Sequence, residues 1–414
     1  MKILLLGYGK EGQAIETYFK QKDPSVTFDI WQNLTPDELK QRDYSLYDII
    51  FRSPSVPPLG VKHESSVTRY FFEHCPCQII GVTATKGKGT TCSFIKSLLD
   101  VEGEKAYLVG NIGEPAINVL DKLDESSIVV YEMSSFQLWD LPESPHISVI
   151  GTIEPDHLNV HHGYDDYIGA KANICRYQTS DDFCIYYKDN PESVKIAETA
   201  KNPVKIPYPF DIPDSIKNAI KLPGEHNIRN AIAAIAAVAC YKNISPDEYI
   251  KRSENSIIQG LSHFTGLPHR LEFVREINGI RFYDDNFSTN PSSLKVAVDS
   301  FPHNRLVVIA GGRDKTGNAD LEEIYQILKS PQVSEMVLIG ESGQEIAHRH
   351  WSDPNLFWEE TLEEAVNRAY ALASSYQVTD DFVILMSPSA ASFDMFKDVY
   401  DRGEKYQKLV ENLE

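Results

Sequence analysis

The chain has 414 residues, enough for roughly two to four domains and a substantial core. Its 60 acidic residues against 40 basic ones give a net charge of −20, which excludes nucleic acid and anionic membranes as its main partners. With 42% apolar residues, no run near the ~18 apolar residues of a membrane span and six scattered cysteines, we expect a cytoplasmic globular protein with free thiols.

Short apolar runs alternate with amphipathic stretches along almost the whole chain. The predicted buried strands cover residues 2–6, 78–82, 127–131, 147–150, 305–310, 335–340 and 381–386. The predicted helices include residues 13–19, 91–100, 227–241, 362–374 and 393–409. Strands separated by single helices imply right-handed crossovers and parallel sheets, so the predicted fold class is α/β.

Two positions predict domain boundaries. The first 76 residues hold room for one strand–helix–strand unit and end at a Cys-Pro-Cys sequence before a new strand. Near residues 260–268, Gly266 and Pro268 interrupt a polar loop, and the Asn278-Gly279 pair beyond it predicts a two-residue hairpin. The predicted domains are a Rossmann-like N-terminal domain at 1–76, a central P-loop-type parallel-sheet domain at 77–266 and a Rossmann-like C-terminal domain at 267–414.

Residues 7–12 read GYGKEG, a complete GxGxxG between a predicted strand and a helix. Such a turn lets a phosphate or ribose approach the backbone at a helix N-terminus. One interpretation is a dinucleotide site with Asp29 as the ribose ligand, and the others are a nucleotide-sugar site and a purely structural loop. Because a dinucleotide fold needs two strand–helix–strand halves, the single unit before residue 76 favours the other two interpretations.

Residues 81–91 read GVTATKGKGTT and are similar to a P-loop, whose amides cradle phosphates while a lysine reaches the β and γ oxygens. The match is imperfect, because the first glycine lies one residue early and Gly89 stands where a metal-binding hydroxyl is expected. Thr90 or Thr91 could supply that hydroxyl. A merely glycine-rich turn is the alternative, but the strand-to-helix position favours phosphate binding.

Polar residues follow two predicted strands. Glu132 follows the strand at 127–131, and Asp156 and His157 follow the strand at 147–150. A carboxylate at that edge of a sheet, near a phosphate loop, is where a Mg²⁺ ligand is needed. Helix caps and solvated groups are the alternatives for each residue alone. Lys171, in a helical stretch at 167–176, would ordinarily be an exposed helix lysine.

Together these segments resemble the Mur ligase family over nearly the whole chain. The resemblance rests on residues 81–91, 132–138, 154–158, 170–172 and 224–227 in the centre, and on residues 266–270, 284–290, 311–315, 387–394 and 402–403 towards the C-terminus. The sequences SSFQL at 134–138 and SPSAASFD at 387–394 favour the D-glutamate-adding branch. The family implies an ATP-dependent ligase of peptidoglycan precursor synthesis.

The resemblance implies a role for each matching residue. The implied catalytic residues are Lys88, Glu132, His157 and Lys171. The implied ATP-binding residues are Thr85, Lys86, Gly87, Lys88, Gly89, Thr90, Thr91, Asn227, Arg270 and Asp285. The implied ligands of the UDP substrate are Lys10, Glu11, Ser53, Pro54 and Asn111, and those of the amino acid are Thr289, Lys315 and Ser392. The implied metal ligands are Thr90, Glu132, His157 and Lys171, with Lys171 carbamylated and two Mg²⁺ sites.

The implied reaction joins D-glutamate to UDP-N-acetylmuramoyl-L-alanine, with ATP, through an acyl phosphate. We expect a monomer, because nothing in the sequence demands a dimer. The chain departs from the family pattern at Gly89 and Ala84 in the phosphate loop, and at Phe287, where the family often has a lysine near the amino acid. The last difference leaves open the same ligation with another amino acid or acceptor carboxylate.

Three further alternatives stay open from the sequence. The folylpolyglutamate branch shares the central and C-terminal domains but has no role for the N-terminal one. An NAD(P)-dependent oxidoreductase would rest on residues 7–12 alone. A non-catalytic ATP sensor would rest on Gly89 alone.

Overall fold

The computed structural model describes residues 1–156, 160–313, 320–376 and 381–413. The chain divides into two compact units, one of residues 1–220 with 228–264 and the other of residues 221–227 with 265–414. Within the described residues, no helix combines the length and the apolar character needed to cross a membrane.

The first sheet has four parallel strands in the order β2–β1–β3–β4. Its strands are β1 (Lys2–Leu6), β2 (Thr27–Trp31), β3 (Ile49–Arg52) and β4 (Glu64–Ser66), and its helices are α1 (Lys10–Lys22), α2 (Pro36–Lys40) and α3 (Val67–His74). Four consecutive apolar residues of β1 are at most 1% exposed, as expected for a parallel strand covered on both faces. Because β1 pairs with β3, the turns that follow these two strands lie side by side.

The second sheet has six parallel strands in the order β10–β9–β8–β5–β7–β6. Its strands are β5 (Gln78–Thr83), β6 (Lys105–Gly110), β7 (Ser127–Glu132), β8 (Ile147–Ile150), β9 (Phe183–Tyr187) and β10 (Val204–Tyr208). The helices in this part of the chain are α4 (Lys88–Val101), α5 (Ser135–Leu138), α6 (Tyr164–Arg176), α7 (Pro191–Thr199), α8 (Asp214–Lys217), α9 (Glu225–Tyr241) and α10 (Pro246–His263).

The order of the second sheet reverses around β5. Strands β6 and β7 lie on one side of β5, whereas β8, β9 and β10 lie on the other. In open parallel sheets, ligands bind outside the carboxyl ends of the strands at such a reversal. The topology therefore points to the loops that follow β5, β7 and β8.

The third sheet is mixed and has the order β11–β12–β16–β13–β14–β15. Its strands are β11 (Glu272–Ile277), β12 (Ile280–Asp284), β13 (Arg305–Gly311), β14 (Val333–Ile339), β15 (Leu356–Trp358) and β16 (Phe382–Met386), and its helices are α11 (Pro291–Asp299), α12 (Leu321–Leu328), α13 (Gly340–Arg349), α14 (Leu362–Ser374) and α15 (Val399–Glu411). Asn278 and Gly279 have φ of 53° and 82°, which suits the predicted hairpin between β11 and β12.

The structure confirms the α/β class and corrects two details. The first 76 residues contain two strand–helix–strand units, not one, since β2 and α2 lie between β1 and β3. The helix predicted at 393–409 begins only at Val399, where the Asp398 side chain caps it. The third sheet is mixed because of the predicted hairpin, in which β11 is antiparallel to β12. The two domain boundaries stay predictions.

Candidate active site

A cavity of about 320 Å³ lies where the chain leaves β3, β5, β6 and β7. It is lined by Ser53, Pro54, Ser55, Ala84, Thr85, Lys88, Asn111, Ser134, Ser135, Phe136, Asp156, Tyr167 and Lys171. The lining includes predicted ligands of the UDP substrate (Ser53, Pro54, Asn111), predicted ligands of ATP (Thr85, Lys88) and Lys171. The structure therefore brings three separately predicted groups of residues into one cavity.

The glycine-rich loop after β5 has the local structure of an anion site. Gly87 has a φ of 86° and directly precedes α4, whose first turn contains no acidic residue. The backbone N–H groups at a helix start carry partial positive charge, which attracts phosphate. Nζ of Lys88 donates hydrogen bonds to the carbonyl oxygens of Ala84, at 2.9 Å, and Thr85, at 3.2 Å. A charge-assisted bond to a bound phosphate would be stronger than these bonds to carbonyl oxygens.

Two threonines are candidates for the hydroxyl that is missing at Gly89. Oγ1 of Thr91 donates to the carbonyl oxygen of Gly87 at 2.9 Å, and this residue is only 4% exposed. Thr90 lies on the same first turn of α4 and is partly exposed. Thr90 is therefore the better placed of the two for a ligand. Lys86, in the loop itself, is exposed and lies 3.6 Å from Glu154.

We expect Gly87→Ala to weaken ATP binding as well as stability. A Cβ at this position would lie 2.8 Å from Oδ1 of Asn230, and a φ of 86° is strained for any L side chain. Gly103→Ala is a matched control, because Gly103 has a φ of 78° but open space around its Cβ position. Both variants should lose about 1–2 kcal/mol of unfolding free energy in urea. Only Gly87→Ala should raise the Kd for ATP, and unchanged affinity in that variant would contradict the loop assignment.

Lys171, on α6, is a buried lysine. It is 2% exposed, and its Nζ donates to Oγ1 of Thr83 at 3.2 Å and to the carbonyl oxygen of Ala84 at 3.0 Å. Burial, and secondly the Lys88 ammonium nearby, lower the pKa of Lys171 well below the usual range for lysine. Its amine is therefore poised to be neutral, which is the form that reacts as a nucleophile.

Two carboxylates near the carboxyl ends of the strands interact electrostatically with Lys171. Glu132, at the end of β7, is 6% exposed, and Asp156, in the loop after β8, lines the cavity. Both negative charges favour the protonated amine and partly offset its lowered pKa. Carboxylate and hydroxyl oxygens are the donors that Mg²⁺ prefers, so this set fits the predicted metal. His157 lies outside the described residues, and its role stays a prediction.

The GYGKEG turn meets residues 53 and 54 at the end of the first sheet. Gly7 has a φ of 86°, and a Cβ there would lie 2.7 Å from Cβ of Ser53, so only glycine fits this approach. Lys10 begins α1 and is exposed, and Asn111 follows β6 and lines the cavity. Asp29, on β2, pairs with Lys2 at 2.8 Å and accepts a hydrogen bond from the Tyr47 hydroxyl at 2.7 Å.

Two buried side chains connect the first sheet to the segment around α5. Oε1 of Glu11 accepts a hydrogen bond from Nε2 of Gln137 at 2.9 Å, and burial raises the pKa of Glu11. Arg52, 1% exposed at the end of β3, pairs with Asp140 just beyond α5. These links fix the turns of the first sheet against residues 134–136 of the cavity. Sequence reasoning missed Arg52 and Asp140, since neither belongs to a recognisable motif.

Several lining side chains were not assigned from the sequence: Ser55, Ala84, Ser134, Ser135, Phe136 and Tyr167. Ser134 forms a capping box with Gln137, an ordinary pattern that gives no hint of a cavity. Tyr167 precedes Lys171 by four residues on α6, and that spacing alone predicts a shared face. The hydroxyls of Tyr167 and Thr85 lie 2.7 Å apart, and burial raises the pKa of Tyr167 to about 12.

In the second unit, predicted residues follow the adjacent strands β12 and β16. Oγ of Ser387 donates to Oδ2 of Asp285 at 2.8 Å, and burial raises the pKa of Asp285 to about 7. Thr289, also beyond β12, is partly exposed, and Ser392, beyond β16, is 2% exposed. Lys315 lies outside the described residues, so its contact with an amino acid stays a prediction.

The other two predicted ATP ligands of the second unit differ in exposure. Asn227, at the start of α9, is 5% exposed, and its Nδ2 donates to the carbonyl oxygen of Pro223 at 2.8 Å. Arg270 is exposed, and its guanidinium lies 5.0 Å from the ring centre of Phe287. At the position where the family often has a lysine, this chain therefore places an aromatic ring against a cation.

His269, Glu272 and Asp284 form a cluster whose possible ligand atoms lie within 4.8 Å of one another. Nδ1 of His269 lies 2.7 Å from Oδ2 of Asp284, and that hydrogen bond raises the pKa of His269. Nε2 of Gln407 donates to both carboxylates, at 2.7 Å and 3.0 Å. These hydrogen bonds give the polar atoms of the cluster partners within the protein, so we assign no metal to it. They also fix the backbone at His269, the residue before Arg270.

Comparisons with known proteins give the family and the fold of this chain. The sequence model of the Mur ligase middle domain matches residues 82–214, and that of the Mur ligase, glutamate ligase domain, matches residues 269–389. Among solved structures, MurF from Acinetobacter baumannii superposes with a TM-score of 0.59 at 19% identity, covering 83% of this chain and 79% of that one. MurC from Thermotoga maritima gives a TM-score of 0.56 at 16% identity and covers 99% of both chains. At these identities the structural similarity shows the fold.

Full-length relatives extend the comparison. A UDP-N-acetylmuramoylalanine–D-glutamate ligase from Acetivibrio thermocellus is 32% identical over 470 aligned positions, covering 100% of this chain and 97% of the relative. The enzyme of the same name from Ruminiclostridium cellulolyticum is 31% identical over 420 positions, covering 92% and 86%. The resemblance predicted from the motifs is thus confirmed, and the chain belongs to the Mur ligase family and is an ATP-dependent ligase.

Proposed function

We propose that this chain joins D-glutamate to UDP-N-acetylmuramoyl-L-alanine at the expense of ATP, as a cytoplasmic monomer in peptidoglycan precursor synthesis. The observation that carries the proposal is the shared cavity, in which Ser53, Asn111, Lys88 and Lys171 line one space. A ligase must hold an activated phosphate and an acceptor carboxylate within reach of each other. The names of relatives at 32% and 31% identity support the choice of substrates.

In the proposed arrangement, the first sheet binds the UDP group and the glycine-rich loop binds ATP. The turn at residues 7–12 and residues 53–54 offer backbone groups next to the start of α1, and Lys10 adds an exposed cation there. The start of α4 and Lys88 attract the ATP phosphates. The sugar and its L-alanine would then lie between Asn111 and the phosphate loop.

The proposed reaction has two steps. An oxygen of the substrate carboxylate attacks the γ-phosphorus of ATP, which forms an acyl phosphate and releases ADP. The neutral amine of D-glutamate then attacks the acyl carbon, and the tetrahedral intermediate expels phosphate to leave the amide. Lys88 and the N–H groups of α4 stabilise the negative charge that builds up on the transferring phosphoryl group. No covalent nucleophile from the protein is required.

The chain's oxygen donors suit the metal that this reaction uses. When bound, Mg²⁺ neutralises phosphate charge and orients the phosphoryl group. Glu132 and Thr90 would hold it, together with a carbamylated Lys171 and the predicted ligand His157. The neutral amine of Lys171 would add to CO₂ and lose a proton, which converts a cation site into an anionic oxygen donor. Burial of Lys171 supports this step because it favours the neutral amine. An ammonium would repel the metal ion and has no lone pair with which to add to CO₂.

One observation favours a variant of this function. Phe287 lies against Arg270, at 5.0 Å, and against the Tyr400 ring, at 5.3 Å, instead of providing an ammonium. A dianionic amino acid would then depend on Arg313 or Lys315 for its side-chain carboxylate. The alternative is the same ligation with a less acidic amino acid, or with another acceptor carboxylate.

The substrate is tested by incubating the protein with ATP, Mg²⁺, UDP-N-acetylmuramoyl-L-alanine and single amino acids, with product masses recorded. We expect a product heavier by one glutamate residue with D-glutamate, and none with L-glutamate. A product only with a neutral amino acid would reassign the specificity and implicate Phe287. Absence of any product across the panel would contradict the proposal.

A further inference from the structure

The sequence Cys-Pro-Cys at residues 75–77 has no role in the proposed ligase reaction. Cys75 caps the C-terminus of α3, and Cys77 immediately precedes β5, so the pair spans the crossing from the first sheet to the second. Their Sγ atoms lie 3.6 Å apart. A disulfide needs about 2.05 Å between the sulfurs, so the two thiols must approach each other further to form one.

Accessibility distinguishes this pair from the other cysteines. Cys75 and Cys77 are partly exposed, whereas the remaining four cysteines, Cys92, Cys175, Cys184 and Cys240, are buried. A cavity of about 410 Å³ adjoins the pair and is lined by Cys75, Cys77, Glu125, Glu143 and His146 among others. A small reagent can therefore reach these two sulfurs but not the rest.

The two thiols lie close enough to interact with each other. Either Sγ can donate to the other at 3.6 Å, and the Cys75 thiol also lies 3.5 Å from the carbonyl oxygen of Cys77. Thiolates, not thiols, attack disulfides, so the sulfur that loses its proton first attacks and the other resolves the mixed disulfide.

We propose that Cys75 and Cys77 form a reversible dithiol–disulfide site that reacts with small external disulfides. The thiolate of one cysteine attacks one sulfur of the reagent, forms a mixed disulfide and releases one thiolate. The sulfur of the other cysteine, after losing its proton, then attacks the protein sulfur of that mixed disulfide and releases the second thiolate. The protein loses two electrons and two protons, and the reagent disulfide gains them as two thiols.

The surroundings predict which reagent reacts best. Glu125 and Glu143 place carboxylates around the cavity, and the chain as a whole carries a net charge of −20. A cationic disulfide should therefore be concentrated near the site, and an anionic one should be repelled. Cystamine, which carries an ammonium at each end, is the appropriate probe.

The full-length protein is treated with cystamine, alkylated under denaturing conditions and analysed by mass spectrometry. We expect alkylatable thiols to fall from six to four, and the peptide with residues 75–77 to lose the mass of two hydrogen atoms. Dithiothreitol should restore both. Six remaining thiols, or a disulfide mapped to the buried cysteines, would overturn the proposal.

Two single variants test whether both thiols are needed. Cys77→Ser and Cys75→Ser should each keep a stable cysteamine adduct on the remaining thiol, because the resolving thiol is absent. A stable adduct in the unmodified protein would show that the ring cannot close and would also overturn the proposal.

Discussion

Lys88→Ala should reduce the rate of ATP-dependent phosphate release by about a hundredfold to a thousandfold, the usual cost of removing one group that stabilises transition-state charge. Lys88 stands at the start of α4, and its ammonium donates hydrogen bonds to the carbonyl oxygens of Ala84 and Thr85 in the phosphate loop. The fold should survive, because the side chain is only partly buried.

Lys96→Ala is the matched control for this variant. Lys96 lies two turns further along the same helix and pairs with Asp100 on the surface. Its removal deletes a lysine from α4 without touching the cavity, so activity should stay at the level of the unmodified protein. If Lys88→Ala also kept that activity, the phosphate loop would have to be placed elsewhere.

Lys171→Ala should be inactive, and formate or acetate should restore part of the activity. The variant removes the buried amine that would carry the carbamate, and a small carboxylate can enter the space left behind. Lys195→Ala, on the exposed surface of α7, is the control and should behave like the unmodified protein.

A direct readout separates the carbamate from a merely structural role of Lys171. With carbon-13-labelled CO₂, the unmodified protein should show a carbamate signal by NMR that is missing in Lys171→Ala. Activity in Lys171→Ala equal to the unmodified protein, without added carboxylate, would refute the role. The absence of a carbamate signal in the active protein would refute the modification.

The sequence was most informative where polar or glycine-rich residues come at the end of a predicted apolar strand. The loop at 81–91 and Glu132 follow buried apolar strands, and parallel strands necessarily deliver their ends to one edge of a sheet. The Asn278-Gly279 hairpin was equally predictable, since its positive φ angles favour these residue types. Helix α14 was predicted with the bounds that the structure shows.

Features that depend on long-range packing could not be predicted. The pairing of Arg52 with Asp140 joins residues 88 positions apart, and neither has a local signature. The second strand–helix–strand unit of the first sheet was missed because β2 is a half-buried edge strand, and its pairing with β1 depends on packing between distant residues. The burial of Lys171 also depends on where α6 packs, so its sequence alone could not distinguish it from a surface lysine.

The central claim is that an acceptor carboxylate is activated by ATP in the cavity, and oxygen-18 transfer tests it most directly. UDP-N-acetylmuramoyl-L-alanine labelled with oxygen-18 in its carboxylate is incubated with D-glutamate, ATP, Mg²⁺ and the protein. An acyl phosphate requires one labelled oxygen to appear in the released phosphate, alongside a product heavier by one glutamate residue. Unlabelled phosphate, or AMP and pyrophosphate in place of ADP and phosphate, would contradict this mechanism.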